Sequence, residues 1–122
     1  MVFNLQTYCY ICRMKILVKR TIHYYISKYP NAEKGLLLWV SEFSKSDFAN
    51  FNEVKSIYGN ASIVGNNRVI FNIKGNDFRL IVSINFIQKA CYVIWFGTHK
   101  EYDKINAETV AFDTDIQNFK ID

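Results

Sequence analysis

The chain of 122 residues has few of the features that mark membrane, secreted or fibrous proteins. No stretch approaches 18 consecutive uncharged apolar residues, so the sequence predicts no transmembrane helix. The opening residues lack the basic segment, apolar run and small-residue cleavage site of a secretory signal. One proline and five glycines exclude collagen-like and proline-rich architectures. These absences predict a cytoplasmic protein that does not enter a membrane.

Cysteine is also scarce, and the three cysteines are Cys9, Cys12 and Cys91. An odd number without a secretory signal argues against a disulfide framework and for a reducing compartment. Cys9 and Cys12 form an isolated C-x-x-C pair, and a zinc site would need two further ligands at suitable spacing. The remaining candidate ligands, Cys91, His23 and His99, are isolated in the sequence. The sequence therefore predicts no metal and no cofactor.

Charge is distributed unevenly along the chain, whose net charge is +4 at pH 7. The stretch from Ala107 to the end carries a net charge of −3, which leaves +7 on residues 1–106. A basic body attracts polyanions such as nucleic acid, although it also promotes solubility. The acidic end is either a solvated tail or an internal competitor for the basic surface.

The length and the 50% hydrophobic content predict one domain with a sizeable core. We predict that this domain spans residues 14–106. Residues 1–13 are expected to be an N-terminal extension, with Met14 as an alternative start, and the other interpretation is an extra edge strand. Residues 107–122 form the predicted acidic C-terminal tail.

The first half of the domain has the periodicity of helices, after a short strand at 16–18. The first helix is expected to end before Pro30, and Asn31 is expected to cap a second helix. The apolar stripe of that second helix consists of Leu36, Leu37, Val40 and Phe43, flanked by Trp39. The tight link between the two predicts an antiparallel hairpin. A third helix is predicted within residues 45–60, ending at Gly59.

From residue 69 onward the period changes to two, which predicts three antiparallel strands at 69–73, 78–86 and 90–98. The last strand is apolar on both faces, so we expect it in a central position of the sheet, or with a partner that covers its second face. Its two predicted faces are Tyr92, Ile94 and Phe96 against Cys91, Val93 and Trp95. The fold class is α+β: an N-terminal strand and a helical hairpin packed on one face of a C-terminal antiparallel meander.

The turn between the first two of these strands determines which polar residues face each other. Gly75-Asn76 has the composition of a hairpin turn, and Asn76 is expected at a positive φ. A two-residue turn places Asn72 opposite Arg79 on the face away from the helices, with Arg68 further along. Such a face could bind a phosphate backbone, but solvated polar faces are also common in antiparallel sheets.

A polar segment, Thr98 to Lys104, follows the last predicted strand. It includes His99, and histidine is the side chain whose ordinary pKa is nearest to neutral pH. Tyr102 and Lys104 can donate protons or stabilise anions. The structural alternative is a short solvated helix capped by Thr98, with His99 in its first turn.

Residues 14–106 resemble the HigB toxin family, within the RelE-like bacterial toxins. The similarity is strongest in three blocks, VGNNRVIFNIKGN (64–76), FRLIV (78–82) and GTHKEYDKI (97–105). The stretches Met14–Arg20 and Lys28-Tyr29-Pro30 also fit the family's opening. Residues 1–13 and the acidic tail depart from the family pattern.

The resemblance implies a RelE-like fold and an endoribonuclease that cuts messenger RNA during translation, at the ribosomal A site. It also implies a partner antitoxin, HigA, with a helix-turn-helix, and contact with operator DNA only through that antitoxin. The other hypothesis is a non-catalytic module that binds RNA or antitoxin without cutting.

Candidate roles follow from the chemistry that this activity needs. The sequence has no carboxylate cluster with metal spacing, so we expect metal-free attack of the ribose 2′-OH on its own phosphate. Arg79 is expected on the phosphate, because its fork binds two oxygens. His99 is the expected base or acid, and Tyr102 is a second proton partner or a stacking platform. The expected RNA-binding residues are Arg68, Asn72, Lys74, Lys100 and Lys104.

Overall fold

A computed structural model describes residues 14–17, 19–75 and 77–112, without the side chains of Leu17 and Lys19. The predictions on residues 1–13, on Asn76 and on residues 113–122 lie outside this description. The proposed boundaries at 13/14 and 106/107 stay predictions. Within the described ranges, no helix is long and apolar enough to cross a membrane.

The described chain contains a five-stranded sheet with helices that pack on one of its faces. In chain order the elements are β1 (Lys15–Leu17), α1 (Lys19–Lys28), a 3-10 helix (Pro30–Ala32), α2 (Glu33–Lys45), α3 (Phe51–Ile57), β2 (Ser62–Val64), β3 (Arg68–Ile73), β4 (Phe78–Asn85), β5 (Ala90–Thr98) and α4 (His99–Tyr102). The strand order is β1-β5-β4-β3-β2. β1 runs parallel to β5, and the other pairs are antiparallel. This architecture confirms the α+β prediction.

The extent of the meander was predicted incorrectly. β2 adds a fourth antiparallel strand at the edge, where Ile63 lies opposite Val69. Three residues are too few for a period-2 pattern to stand out, so this strand had no sequence signal. β5 is confirmed as an interior strand, since it lies between β1 and β4.

A bulge in β5 overturns the predicted alternation of that strand. Ile81 of β4 lies opposite Trp95, but the neighbouring Val82 lies opposite Val93, so Ile94 is the extra residue. Val93 and Phe96 therefore both belong to the core, on either side of the bulge. Trp95 points to the opposite face of the sheet, on which its partner Ile81 and the neighbouring Arg79 also lie.

The core lies between the helices and one sheet face, and aromatic side chains dominate it. Trp39 stacks on Phe43 with ring centroids 4.8 Å apart, and Phe43 meets Phe71 of β3 edge-on at 5.7 Å. Leu36 and Leu80 are fully buried in the same cluster. Burial of these apolar surfaces is the main source of stability for a domain of this kind.

Two predictions on α2 are wrong in detail. Asn31 lies inside the 3-10 helix that Pro30 opens, and the N-cap of α2 is Ala32, without a side-chain hydrogen bond. The buried residues of α2 are Leu36, Trp39 and Phe43. Leu37 is 43% exposed, because a stripe at i, i+3 and i+7 turns the next residue toward solvent.

The third helix exists but is shorter than predicted. Asn50 caps α3, and its side-chain oxygen accepts a hydrogen bond from the amide of Glu53 at 3.0 Å. The helix ends at Ile57, before Gly59, with Tyr58 as its C-cap. The capping spacing Asn-x-x-Glu was present in the sequence and would have located this start.

A segment that we call the C-terminal strap, residues 105–110, follows α4 and contacts the start of β3. Arg68 donates from Nη1 to the carbonyl oxygens of Ala107 and Val110, both at 2.9 Å. The side-chain amide of Asn66 donates to the carbonyl of Glu108. The chain is thus ordered past residue 106, where the predicted tail begins.

Candidate functional site

The candidate site begins with a row of residues across the sheet face that points away from the helices. Asn72 of β3 lies opposite Arg79 of β4, as predicted, and Arg79 lies opposite Gly97 of β5. Arg79 is partly buried and donates from Nη1 to the carbonyl of Phe78 at 3.2 Å. The row therefore presents a guanidinium near the end of the sheet.

The short helix α4 brings Tyr102 over this row. The Arg79 guanidinium carbon lies 5.8 Å from the centroid of the Tyr102 ring, within the range of a cation–π contact. The Trp95 ring lies 6.4 Å from the Tyr102 ring, at an angle of 50°. One cation and two aromatic rings thus share this part of the face.

A capping box starts α4, which confirms the predicted cap at Thr98. The Thr98 hydroxyl oxygen accepts from the Glu101 amide at 3.2 Å, and Glu101 Oε1 accepts from the Thr98 amide at 2.9 Å. The hydroxyl of Tyr29, the residue that follows α1, donates to the same Oε1 at 2.7 Å. Glu101 therefore ties α4 both to its own first turn and to the helical layer.

The carboxyl group of Glu101 responds electrostatically to these contacts. Partial desolvation disfavours its charged form, but hydrogen bonds from Thr98 and Tyr29 and the charge of Lys28 outweigh that effect. The pKa of Glu101 therefore lies below its usual range. The carboxyl group of Glu101 is therefore ionised at neutral pH, and in this form it accepts the hydrogen bonds that cap α4.

His99 occupies the first position of α4, next to the β3–β4 turn. Its backbone amide donates to the carbonyl of Asp77 at 3.0 Å, which connects the helix to that turn. Its Nδ1 lies 3.2 Å from Asp103 Oδ2, and the side chain is 47% exposed. An imidazole held this way by a carboxylate is oriented and still accessible to a substrate.

A cavity of about 340 Å³ adjoins His99 at the end of the sheet. It is lined by Asn31, Lys74, Asp77, Phe78, Thr98, His99 and Lys100. The structure thereby brings together three of the predicted residues, His99, Lys74 and Lys100. Lys74 and Lys100 bring two positive charges to this cavity, and Asp77 brings one negative charge.

The predicted residues fall into two adjoining groups joined by α4. Arg79, Tyr102 and Asn72 lie on the sheet face, whereas His99, Lys74 and Lys100 surround the cavity. His99 and Tyr102 are three positions apart on one helix, a spacing that makes side chains neighbours. Lys104 is exposed in the turn after α4.

Arg68 lies apart from both groups. It is four residues from Asn72 along β3, roughly 13 Å in an extended strand. The contacts of its guanidinium are the carbonyl oxygens of the C-terminal strap. On the same face Ile70 and Ile81 are 3% and 0% exposed, so the face is not the uniformly solvated surface that the sequence predicted.

The arrangement can bind an anion and move protons beside it. Arg79 and the lysines supply positive charge, and His99 and Tyr102 carry exchangeable protons. Among residues 14–17, 19–75 and 77–112, no group of three His, Cys, Asp or Glu side chains is placed to hold a metal ion. The sequence predictions did not include Glu101, although Thr-x-x-Glu is a recognisable capping pattern.

The fold and the site define a class of protein. It is a small α+β domain that carries its proton-transferring and cationic side chains at one end of an antiparallel sheet. It is of the RelE-like type, and the chain belongs to the HigB toxin family. The sequence model of this family, described as the RelE-like toxic component of a toxin-antitoxin system, matches residues 32–105, more than half of the chain.

Curated relatives extend this comparison over most of the chain. The mRNA interferase HigB of Escherichia coli O6:H1 is 29% identical over 94 residues, which cover 75% of this chain and 91% of the relative. The mRNA interferase toxin HigB of E. coli K12 is 24% identical over 96 residues, covering 77% and 92%. A protein of Shigella flexneri with the name mRNA interferase HigB matches equally well. The resemblance stated from the sequence is confirmed.

Proposed function

We propose that this toxin is a ribosome-dependent endoribonuclease that cleaves messenger RNA as it is translated. The observation that carries the proposal is the contact between the Arg79 guanidinium and the Tyr102 ring, one helical turn from His99. Membership of a toxin family and relatives named mRNA interferase support the reaction class. The activity inhibits translation and thereby arrests growth.

The proposed reaction is a metal-free transesterification within the RNA. A base removes the proton of the ribose 2′-OH, and the oxygen attacks the neighbouring phosphorus. The P–O5′ bond breaks, and an acid protonates the departing 5′-oxygen. The products are a 2′,3′-cyclic phosphate and a 5′-hydroxyl, so atoms and charge balance. Each positioned proton-transfer group contributes about 10²–10⁴ to the rate.

Arg79 binds the non-bridging phosphate oxygens in this proposal and stabilises the charge that develops on them. His99 and Tyr102 share the roles of base and acid, with Asp103 orienting the imidazole from 3.2 Å. Lys74 and Lys100 attract the RNA from the cavity side, and Lys104 from the turn after α4. Asn72 lies opposite Arg79 and orients it or the substrate.

A toxin of this kind is held inactive by an antitoxin, and the toxin–antitoxin family implies such a partner. We propose that the partner is a HigA-like protein with a helix-turn-helix, and that operator DNA is contacted only through it. The proposed place of action is the cytoplasm, on messenger RNA in the ribosomal A site.

The decisive experiment maps messenger RNA 5′ ends in a purified translation system with the native chain. We expect new ends only in translated frames. Arg79→Ala should reduce cleavage by about 10²–10³, since it removes an aimed charge. Arg20→Ala, an exposed arginine of α1, is the matched control and should cleave like the native chain.

Other outcomes would redirect the proposal. Cuts on untranslated RNA would retain the nuclease and remove the ribosome from the mechanism. No cuts by a folded native chain would favour a non-catalytic module that binds RNA or antitoxin. His99→Ala and His23→Ala form a second pair of variant and control, because His99 lies in the site while His23 is exposed on α1. If Arg79→Ala and His99→Ala both cleave normally, the assigned site is wrong.

A further inference from the structure

Trp95 occupies an unusual position on the sheet face of the candidate site. The indole folds back over the backbone of Gly97, two residues along β5. A Cβ added at Gly97 would lie 2.6 Å from Cη2 and 2.8 Å from Cζ2 of this indole. Contacts under 3.0 Å cannot be accommodated without movement, so the indole occupies this position because residue 97 has no side chain.

The bulge in β5 is what directs Trp95 to this face. Val93 and Phe96 lie in the core, so a regular strand continuing from Val93 would have turned residue 95 toward the helices. Ile94, the inserted residue, changes the alternation and places Trp95 on the face of Arg79. Bulges next to functional sites commonly redirect one side chain in this way.

The surroundings of the indole are those of a stacking surface next to a phosphate site. Gly97, beneath the indole, is the register partner of Arg79, and the Tyr102 ring lies 6.4 Å away. Trp95 remains partly exposed, whereas Trp39, the chain's other tryptophan, is buried in the core at 4% exposure. A large aromatic surface left accessible beside a guanidinium suits an unpaired base of single-stranded RNA.

We propose that Trp95 stacks on an unpaired RNA base adjacent to the phosphate at Arg79, and so contributes to substrate binding. This inference rests on the proposed nuclease function, which places RNA on this face. Base–aromatic stacking depends little on which base is present, so Trp95 supplies affinity for single-stranded RNA more than sequence preference. The bulge and Gly97 together provide the space for the stack.

The two tryptophans make this proposal directly measurable. The full-length variant Trp39→Phe retains only the indole of Trp95, and the full-length variant Trp95→Phe retains only that of Trp39. The probe is a short single-stranded RNA with 2′-O-methyl groups, which cannot be cleaved because the nucleophile is blocked. We expect this RNA to quench the fluorescence of Trp39→Phe and to leave that of Trp95→Phe unchanged. An abasic oligonucleotide of equal length should quench neither variant.

The effect on cleavage is measured separately, in the translation system. Trp95→Leu should lower cleavage roughly tenfold through weaker binding, because one stacked base is lost. Trp95→Phe should retain most of the activity, since it keeps an aromatic ring. Circular dichroism and the unfolding midpoint of each variant establish that it is folded.

The outcomes separate this inference from the proposed function. If Arg79→Ala loses cleavage while Trp95→Leu cleaves normally and Trp39→Phe is not quenched, the stacking proposal is wrong and the nuclease stands. If the native chain cuts nothing but the RNA still quenches Trp95, the nuclease is wrong and the stacking site stands. Quenching of Trp95 by antitoxin alone, with none by RNA, would overturn the proposal in favour of a protein interface.

Discussion

The two faces of the sheet are built from the same strands but have different compositions. On the helix-covered face the paired positions are apolar from Val69 and Val82 to Leu80 and Phe96, and the polar Thr98 opposite Phe78 lies at the end of β5. On the other face successive rows differ: one row contains Asn72 and Arg79, the next contains buried isoleucines, and the next contains Arg68. The comparison indicates that one face stabilises the fold, while the other leaves positions for charge and aromatic contact.

The largest expected effect on stability is on the helix-covered face. Phe43 is fully buried and contacts the rings of Trp39, Phe48 and Phe71. Phe43→Ala should lower the free energy of unfolding by about 3–5 kcal/mol, because it removes this contact area and leaves a cavity. Chemical denaturation measures this loss of unfolding free energy. The control is Phe112→Ala, which changes an exposed aromatic residue. Equal losses in both variants would contradict the assignment of the core.

An intermediate effect is expected where the second face is covered by the C-terminal strap. Arg68→Ala removes the donor to the carbonyls of Ala107 and Val110 and should cost about 1–3 kcal/mol in unfolding free energy. Backbone hydrogen exchange of residues 105–110 should be faster in this variant than in the native chain. Cleavage should change much less than in Arg79→Ala. A strong loss of cleavage at native stability would instead establish the predicted RNA-binding role of Arg68.

A smaller effect on stability is expected at Arg79 itself. Arg79→Ala loses the contact with the Tyr102 ring and one hydrogen bond to the Phe78 carbonyl. The unfolding free energy should fall by about 1–2 kcal/mol, the combined value of one exposed cation–π contact and one hydrogen bond. Denaturation and cleavage measured on the same preparations test whether this face separates activity from stability. A loss of several kcal/mol would make Arg79 structural.

The smallest expected effect is the pH dependence of the cap on α4. Because the pKa of Glu101 is lowered in the folded chain, its contribution to stability is complete above its ordinary value of 4.5. That contribution disappears as the pH falls through the lower folded value. The difference in unfolding free energy between the native chain and Glu101→Gln should therefore become smaller as the pH falls below the ordinary pKa of Glu101.

The Tyr29 hydroxyl provides the control for this prediction, because it donates to the Glu101 carboxylate. Tyr29→Phe should raise the pKa of Glu101, as read from the carboxyl resonance by NMR. An unchanged resonance would mean that the contact at 2.7 Å does not persist in solution.

Much of this fold could be predicted because local patterns and long-range pairing agree. Alternating runs identified β3 and β4, and the tight turn between them fixed Asn72 opposite Arg79, as the structure has it. The observed turn has positive φ at Lys74 and Gly75, in keeping with a tight hairpin. His99 and Lys74 could be predicted as candidates, but their common cavity depends on how α4 contacts that turn.

Other features had no local signal. The bulge at Ile94 involves no glycine or proline, and it is visible only in the pairing of β5 with β4. Trp95 was therefore assigned to the wrong side of its alternation. The burial of Trp39 and the exposure of Leu37 depend on which side of α2 meets the sheet, which apolar spacing alone leaves ambiguous.

The inserted residue of β5 also affects how this chain can diverge from its relatives. Loss of the codon for Ile94 would remove the extra residue and leave a regular strand, in which Val93 and Trp95 keep their partners Val82 and Ile81. Trp95 would then stay on the face of Arg79, because it would directly follow Val93, whose side chain lies in the core. A single in-frame deletion or insertion at this position therefore removes or adds the bulge without exchanging the two faces of β5.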